Sequence, residues 1–136
     1  GGESSRPGAE KISSVEEIKR VIDPIKYLKN CKVDTFISLD SRNLTTMKTC
    51  YKIGVDILND ITAFKERNKI EFISKTNMPI IIMHMQNEPI NMQIDPKYSF
   101  APTDIYNFFS RKISDLIEAG VKKSNIVIYP KYYEGL

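Results

Sequence analysis

Apolar residues along this chain switch repeatedly between helical and strand spacing. Val15, Ile18, Val21, Ile22, Ile25 and Leu28 recur every three or four positions, as on one helix face. Ser13 or Ser14 can cap that helix, with Glu16 or Glu17 closing a capping box. Pro24 lies inside the pattern and is expected to kink the helix or split it after Ile22. Residues 33–40 then read as a strand, with Phe36, Ile37 and Leu39 apolar and Asp40 at its end. Leu44, Met47, Cys50 and Ile53 return to helical spacing and stop at Gly54. Residues 55–59 predict a second strand, and 65–76 a charged helix with Ile70 and Ile73 inward. The unbroken apolar run at 79–85 suits a parallel strand covered on both faces. Residues 86–102, punctuated by Pro89, Pro96 and Pro102, read as a long loop. Ile105, Phe108, Phe109, Ile113, Leu116 and Ile117 mark a last helix, stopped by Gly120, and 124–129 a last strand.

Strands alternating with helices mean βαβ units and a parallel sheet, an α/β fold. The pattern leaves both a doubly wound sheet and a (β/α)8 barrel open. Asp40, Asn59 and His84 each fall at the C-terminal end of a different strand. Barrels carry their active sites on that face, whereas a doubly wound sheet gathers its site at one switch point. Neither G-x-G-x-x-G nor G-x-x-x-x-G-K-[ST] follows a strand, so a nucleotide-type phosphate loop has no support.

Composition narrows the classes further. At 136 residues the chain is one domain long, and 41% hydrophobic with 27% charged residues is a globular, soluble balance. No apolar run is long enough to span a bilayer, so no membrane partner is expected. The net charge of +3 is scattered, without the basic patch and interleaved aromatics of a nucleic-acid binder. Cys31 and Cys50 lack C-x-x-C spacing and suit a reducing, cytoplasmic compartment; a single His, His84, rules out a His-rich metal site. Residues 1–8 read as the middle of a loop with no initiator Met, so the chain is expected to be a piece of a longer protein.

Four motifs then stand in register. Gly1-Gly2-Glu3-Ser4-Ser5-Arg6-Pro7-Gly8 resembles the G-G-E-S-T-R-P-G loop of the dihydropteroate synthases. Ile37-Ser38-Leu39-Asp40-Ser41 is similar to their I-S-[IV]-D-T strand end, and Asn59-Asp60-Ile61 to their I-N-D-[VI]. Met83-His84-Met85-Gln86, with Pro89, Met92-Gln93, Pro96 and Tyr98, is similar to M-H-M-Q-x-x-P-x-x-M-Q-x-x-P-x-Y. The resemblance runs from residue 1 to about 130. It implies a partial (β/α)8 TIM barrel, strands three to six with their helices, so that 1–136 is a pterin-binding domain incomplete at both ends. It implies condensation of p-aminobenzoate with hydroxymethyl-dihydropterin diphosphate to dihydropteroate and diphosphate. Mg²⁺, held by a protein ligand outside this chain, would assist departure of the diphosphate, and no metal ligand is expected within the chain. By the same resemblance Asp40 and Asn59 bind the pterin, with Ile61 and Met83 lining its pocket. Ser5, Arg6 and Pro7 belong to the loop over diphosphate and p-aminobenzoate. Ser5 stands where most members have Thr, a mild change. Family members are commonly homodimers.

One segment departs from the family. Its sixth strand ends D-P-G-[IF]-G-F-[GA]-K, whereas here Tyr129-Pro130-Lys131-Tyr132-Tyr133-Glu134-Gly135-Leu136 puts a phenol in place of the pterin-contacting Asp. The family's later Lys and S-x-R-x-H segment are also absent. The alternative is therefore a catalytically inactive, truncated or decayed copy. A methyltetrahydrofolate methyltransferase is a third reading, opposed because that group lacks the Gly-Gly-Glu loop combined with M-H-M-Q. Simpler roles exist for the same residues: Asp40 as a helix cap, Asn59-Asp60 as a turn pair, His84 as a structural residue and the lysines as a solvated face.

Overall fold

The computed structural model describes residues 2–4, 10–31, 34–84 and 100–130. Helix α1 (Ser14–Asn30) leads into β1 (Ser38–Asp40), α2 (Leu44–Lys52), β2 (Ile57–Asp60), α3 (Arg67–Thr76), β3 (Ile80–Met83), α4 (Ala101–Glu118) and, after a 3₁₀ turn at Lys123–Asn125, β4 (Ile126–Tyr129). All strand pairs are parallel, and the order across the sheet is β1-β2-β3-β4. That order decides what the sequence left open. A doubly wound sheet reverses its strand order and places helices on both faces. Here the order never reverses, and one core joins the sheet to every helix. Val21 and Ile25 of α1, Met47 and Cys50 of α2, Ile73 of α3, and Phe109 and Leu116 of α4 pack with Leu39, Leu58, Ile80 and Ile82. Helices on one face and strands wound in sequence order are the geometry of a barrel wall.

Local sequence accounts for most element ends. Ser13 caps α1, its hydroxyl accepting from the Glu16 N–H at 3.2 Å. The reciprocal half of the capping box does not form, because the Glu16 carboxylate pairs with Arg20 at 3.0 Å. Gly54 and Gly120 adopt φ of +93° and +95° just beyond α2 and α4, a conformation that costs glycine little.

Three expectations need correction. Pro24 does not split α1, which continues to Asn30. Pro24 and Arg20, whose carbonyl loses its intrahelical donor, are both on the exposed side, where water can replace the bond. Of the strand expected over 33–40, residue 33 lies outside the described residues, 34–37 are not strand, and only Ser38–Asp40 is, with Phe36 left 80% exposed. Val15 and Leu28 are exposed, while Glu17 in the same helix is fully buried. Burial also pushes the Cys50 thiol up to about 11, helped by the Glu17 charge, so this cysteine is an inert packing residue.

Candidate active site

Alternation along the strands sorts side chains onto two faces. Leu39, Leu58, Ile80 and Ile82 face the helices. Asp40, Asn59, Ile81 and Met83 therefore face the opposite side, which would be the interior of a barrel. Asp40 is the register partner of Asn59, and Asn59 of Ile81. Adjacent strands lie about 4.8 Å apart, so a carboxylate and a carboxamide stand side by side at the C-terminal strand ends. The Asn59 side-chain oxygen is buried and accepts no hydrogen bond from the described residues. An amide oxygen removed from water without a donor costs free energy, which a ligand N–H would recover. Tyr129 is the register partner of Met83 and lies on the same face, 51% exposed.

Beyond these strand ends opens a cavity of about 940 Å³ whose lining includes Glu3, Ile12, Arg42, Ile61, Met83 and Lys112. Ile61 and Met83 are thus brought together in one concave wall. Asp40 and Asn59 do not line it. Ser5, Arg6 and Pro7 lie outside the described residues, as do Met85 and the Gln86, Pro89, Met92, Gln93, Pro96 and Tyr98 part of the motif.

The turn that carries Asn59 and Ile61 is built around Asp60. One Asp60 carboxylate oxygen accepts from the Thr62 N–H and hydroxyl, both at 2.8 Å. The other accepts from the Phe64 N–H at 3.2 Å and from Lys69 Nζ at 3.1 Å. The Lys69 and Asp60 side chains are 1% and 0% exposed. Ala63 and Phe64 follow at φ of +53° each, a left-handed conformation unusual for side chains with a Cβ. From α4, Lys112 Nζ donates to the Phe64 carbonyl at 3.0 Å. Burial lowers the Lys112 pKa, opposed by Asp115 and Asp60 and reinforced by Lys69. Lys69 thus departs from the solvated-face expectation: it is a buried countercharge that locks the turn.

Ahead of α1, Glu3 ties the first described segment to the site. Its carboxylate takes two bonds from Arg42, at 2.7 and 3.0 Å, and one from the Ile12 N–H at 3.0 Å. Burial pushes the Glu3 carboxyl up, but the bonds from Arg42 and Ile12 and the charges of Arg42 and Lys11 outweigh it and hold the pKa below its ordinary value. A folded pKa held low contributes stability that is complete above the unfolded value, about 4.3, and is lost as pH falls through the folded one. An NMR titration of the Glu3 carboxyl is expected to show this depression, and Arg42→Met to abolish it. His84 is buried edge-on against Phe108 and Phe109, with ring centroids 4.9 and 6.4 Å away. Burial lowers its pKa, opposed by the charge of Asp104.

A parallel sheet wound in sequence order, with helices on one face and polar groups at the C-terminal strand ends of the other, is part of a (β/α)8 barrel, a fold that carries its sites at that rim. The model of the pterin-binding enzyme family matches residues 1–133, and the chain belongs to that family. It is similar to the dihydropteroate synthase of Haemophilus influenzae, 37% identical over 127 residues, covering 93% of this chain and 46% of that protein. Among solved structures it superposes on a Yersinia pestis dihydropteroate synthase in a sulfonamide drug complex with a TM-score of 0.89 and 34% identity, over 96% of this chain and 47% of that one. A Burkholderia cenocepacia dihydropteroate synthase complexed with 7,8-dihydropteroate gives 0.85 and 31%, over 96% and 46%. The chain therefore spans about half the length of these relatives.

Proposed function

We propose that this chain is the pterin-binding portion of a dihydropteroate synthase, a transferase of folate biosynthesis. The observation that carries the reading is the Asp40–Asn59 pair, in register at the strand ends, with the Asn59 amide oxygen buried and lacking a donor. A pterin presents a flat edge of ring N–H, amino and carbonyl groups. A carboxylate accepts two such N–H groups at once, and a carboxamide supplies one acceptor and one donor. Ile61 and Met83 offer apolar surface for the ring, and the exposed Lys65 of the cavity wall offers positive charge toward a diphosphate. Ser5, Arg6 and Pro7 would close over diphosphate and p-aminobenzoate. The relatives solved with a sulfonamide and with 7,8-dihydropteroate support both substrate classes.

The described residues do not fit the Mg²⁺ that the resemblance implies. Among them no group of three or more His, Cys, Asp or Glu could hold a metal, and the cavity wall carries Lys11, Lys65, Lys69 and Lys112. Magnesium seeks oxygen ligands rather than ammonium groups. A homodimer and a cytoplasmic address belong to the same proposal. Among the described residues no helix is long and apolar enough to cross a membrane.

Calorimetric titration of the chain with hydroxymethyl-dihydropterin diphosphate tests the reading. Saturable one-to-one binding supports it. No heat from a chain that circular dichroism shows to be folded would favour the inactive-copy alternative, for which Tyr129 on the same sheet face is the specific evidence. Tyr129→Asp is expected to tighten binding about tenfold or more, because a carboxylate adds charge-assisted hydrogen bonds of about 1.5–3 kcal/mol each. Unchanged affinity in that variant would mean that position 129 does not face the pterin.

A further inference from the structure

The fully buried Glu17 of α1 has no part in the site as described, yet its hydrogen bonds end beside it. Glu17 Oε2 accepts from Ser41 Oγ and from Asn43 Nδ2, both at 2.9 Å. Ser41 Oγ in turn accepts from the Asn43 N–H at 3.1 Å. The Ser41 N–H donates across the sheet to the Asn59 carbonyl at 3.0 Å. Ser41 directly follows Asp40, so one residue links the α1 carboxylate to the backbone of both members of the pair. Asn43 is the N-terminal cap residue of α2, but its side chain caps nothing and is spent on Glu17. Both donors to Oε2 are neutral, and Oε1 is buried without any donor. Burying a carboxyl group this way is unfavourable unless the bonds it makes serve the structure around it.

We infer that Glu17 is a positioning residue: through Ser41 and Asn43 it holds the end of β1 so that Asp40 stays in register with Asn59. The consequence for ligand binding rests on the pterin reading above; the clamp itself does not. Both bonds converge on one oxygen, so a carboxamide whose carbonyl takes the Oε2 place satisfies them equally. Its amino group then occupies the Oε1 place, where no donor is displaced. The clamp works through geometry and does not require charge.

Amide hydrogen exchange on the ligand-free chain tests the clamp. In Glu17→Ala the Ser41 amide is expected to exchange about tenfold or more faster than in the wild type. The Leu58 amide, which bonds the Pro79 carbonyl at 3.1 Å on the far side of β2, should change much less. Glu17→Gln should restore Ser41 protection to within about threefold of wild type. Uniform acceleration at Ser41 and Leu58, or no change at Ser41, would overturn the inference, the first showing a merely structural role. If Glu17→Ala does not fold, Ser41→Ala tests the same link from the other end, with the amide at position 41 expected to lose protection and that of Leu58 to keep it. Titration with the pterin diphosphate then separates the two readings. About tenfold weaker binding in Glu17→Ala, rescued in Glu17→Gln, supports both. Equal binding in wild type and Glu17→Ala overturns the role in ligand positioning. Absence of binding in the wild type overturns the pterin reading, while the exchange pattern still decides the clamp.

Discussion

Lys69→Met is expected to lower folding stability by about 3–5 kcal/mol, the usual cost of removing one partner from a buried ion pair. Methionine matches the length of the lysine stem and loses only the ammonium, so packing in α3 is largely kept. What remains is the Asp60 carboxylate, at 0% exposure, with its Lys69 bond of 3.1 Å gone. Its other bonds, from Thr62 and Phe64, stay within the turn and carry no compensating charge. Urea unfolding followed by circular dichroism measures the loss. Combining Lys69→Met with Asp60→Asn should recover part of it, because the second change removes the stranded charge and keeps an acceptor for the turn. A loss below about 1 kcal/mol in the single variant would mean that water reaches Asp60 once the lysine is gone. The effect extends to the site, since this turn connects Asn59 to Ile61 and bends through Ala63 and Phe64 at positive φ. Without its central pair the turn has little to hold that conformation.

Asp40→Ala is expected to weaken binding of the pterin diphosphate about a hundredfold or more. Two charge-assisted hydrogen bonds at about 1.5–3 kcal/mol each set that scale, against about 1 kcal/mol for a neutral bond. Asn59→Ala should accordingly cost less, roughly fivefold. Asp40→Asn distinguishes charge from shape. It keeps the outline but replaces one acceptor with a donor facing a ligand N–H, so it should bind no better than Asp40→Ala. Calorimetric titration of the three variants against the wild type orders them. Equal loss in Asp40→Ala and Asn59→Ala would show that Asp40 contributes no charge-assisted bond. Thermal unfolding of the same samples checks that the strand ends remain intact.

Much of the fold was legible because burial imposes a period. Helical spacing marked α1 through α4, and the apolar run at Ile80–Met83 marked the inner strand β3. Gly54 and Gly120 announced two helix ends through their conformational freedom. The same spacing, read more strictly, also pointed to the two buried charges. Glu17 stands four residues before Val21 and eight before Ile25, and Lys69 four before Ile73, so each lies on the inward stripe of its helix. Glu17 reads in the sequence as a capping-box candidate and Lys69 as part of a solvated face, because the partner of each lies on another element. Ser41 is 24 residues from Glu17, and Asp60 is nine from Lys69. The Glu3–Arg42 pair spans 39 residues and was equally invisible.

The sequence by itself determined the helix and strand alternation, the four family motifs and the identity of Asp40, Asn59, Ile61 and Met83 as the residues to examine. The alternation depends on local periodicity, which a linear chain displays directly, whereas the four site residues come from the resemblance of the motifs to the family. Only the tertiary structure decided that the strands run β1-β2-β3-β4 with every helix on one face, that Asp40 and Asn59 are register partners, and that Tyr129 shares their side of the sheet. Strand order and register are fixed by contacts between segments distant in sequence, and a one-residue slip would turn each side chain to the other face.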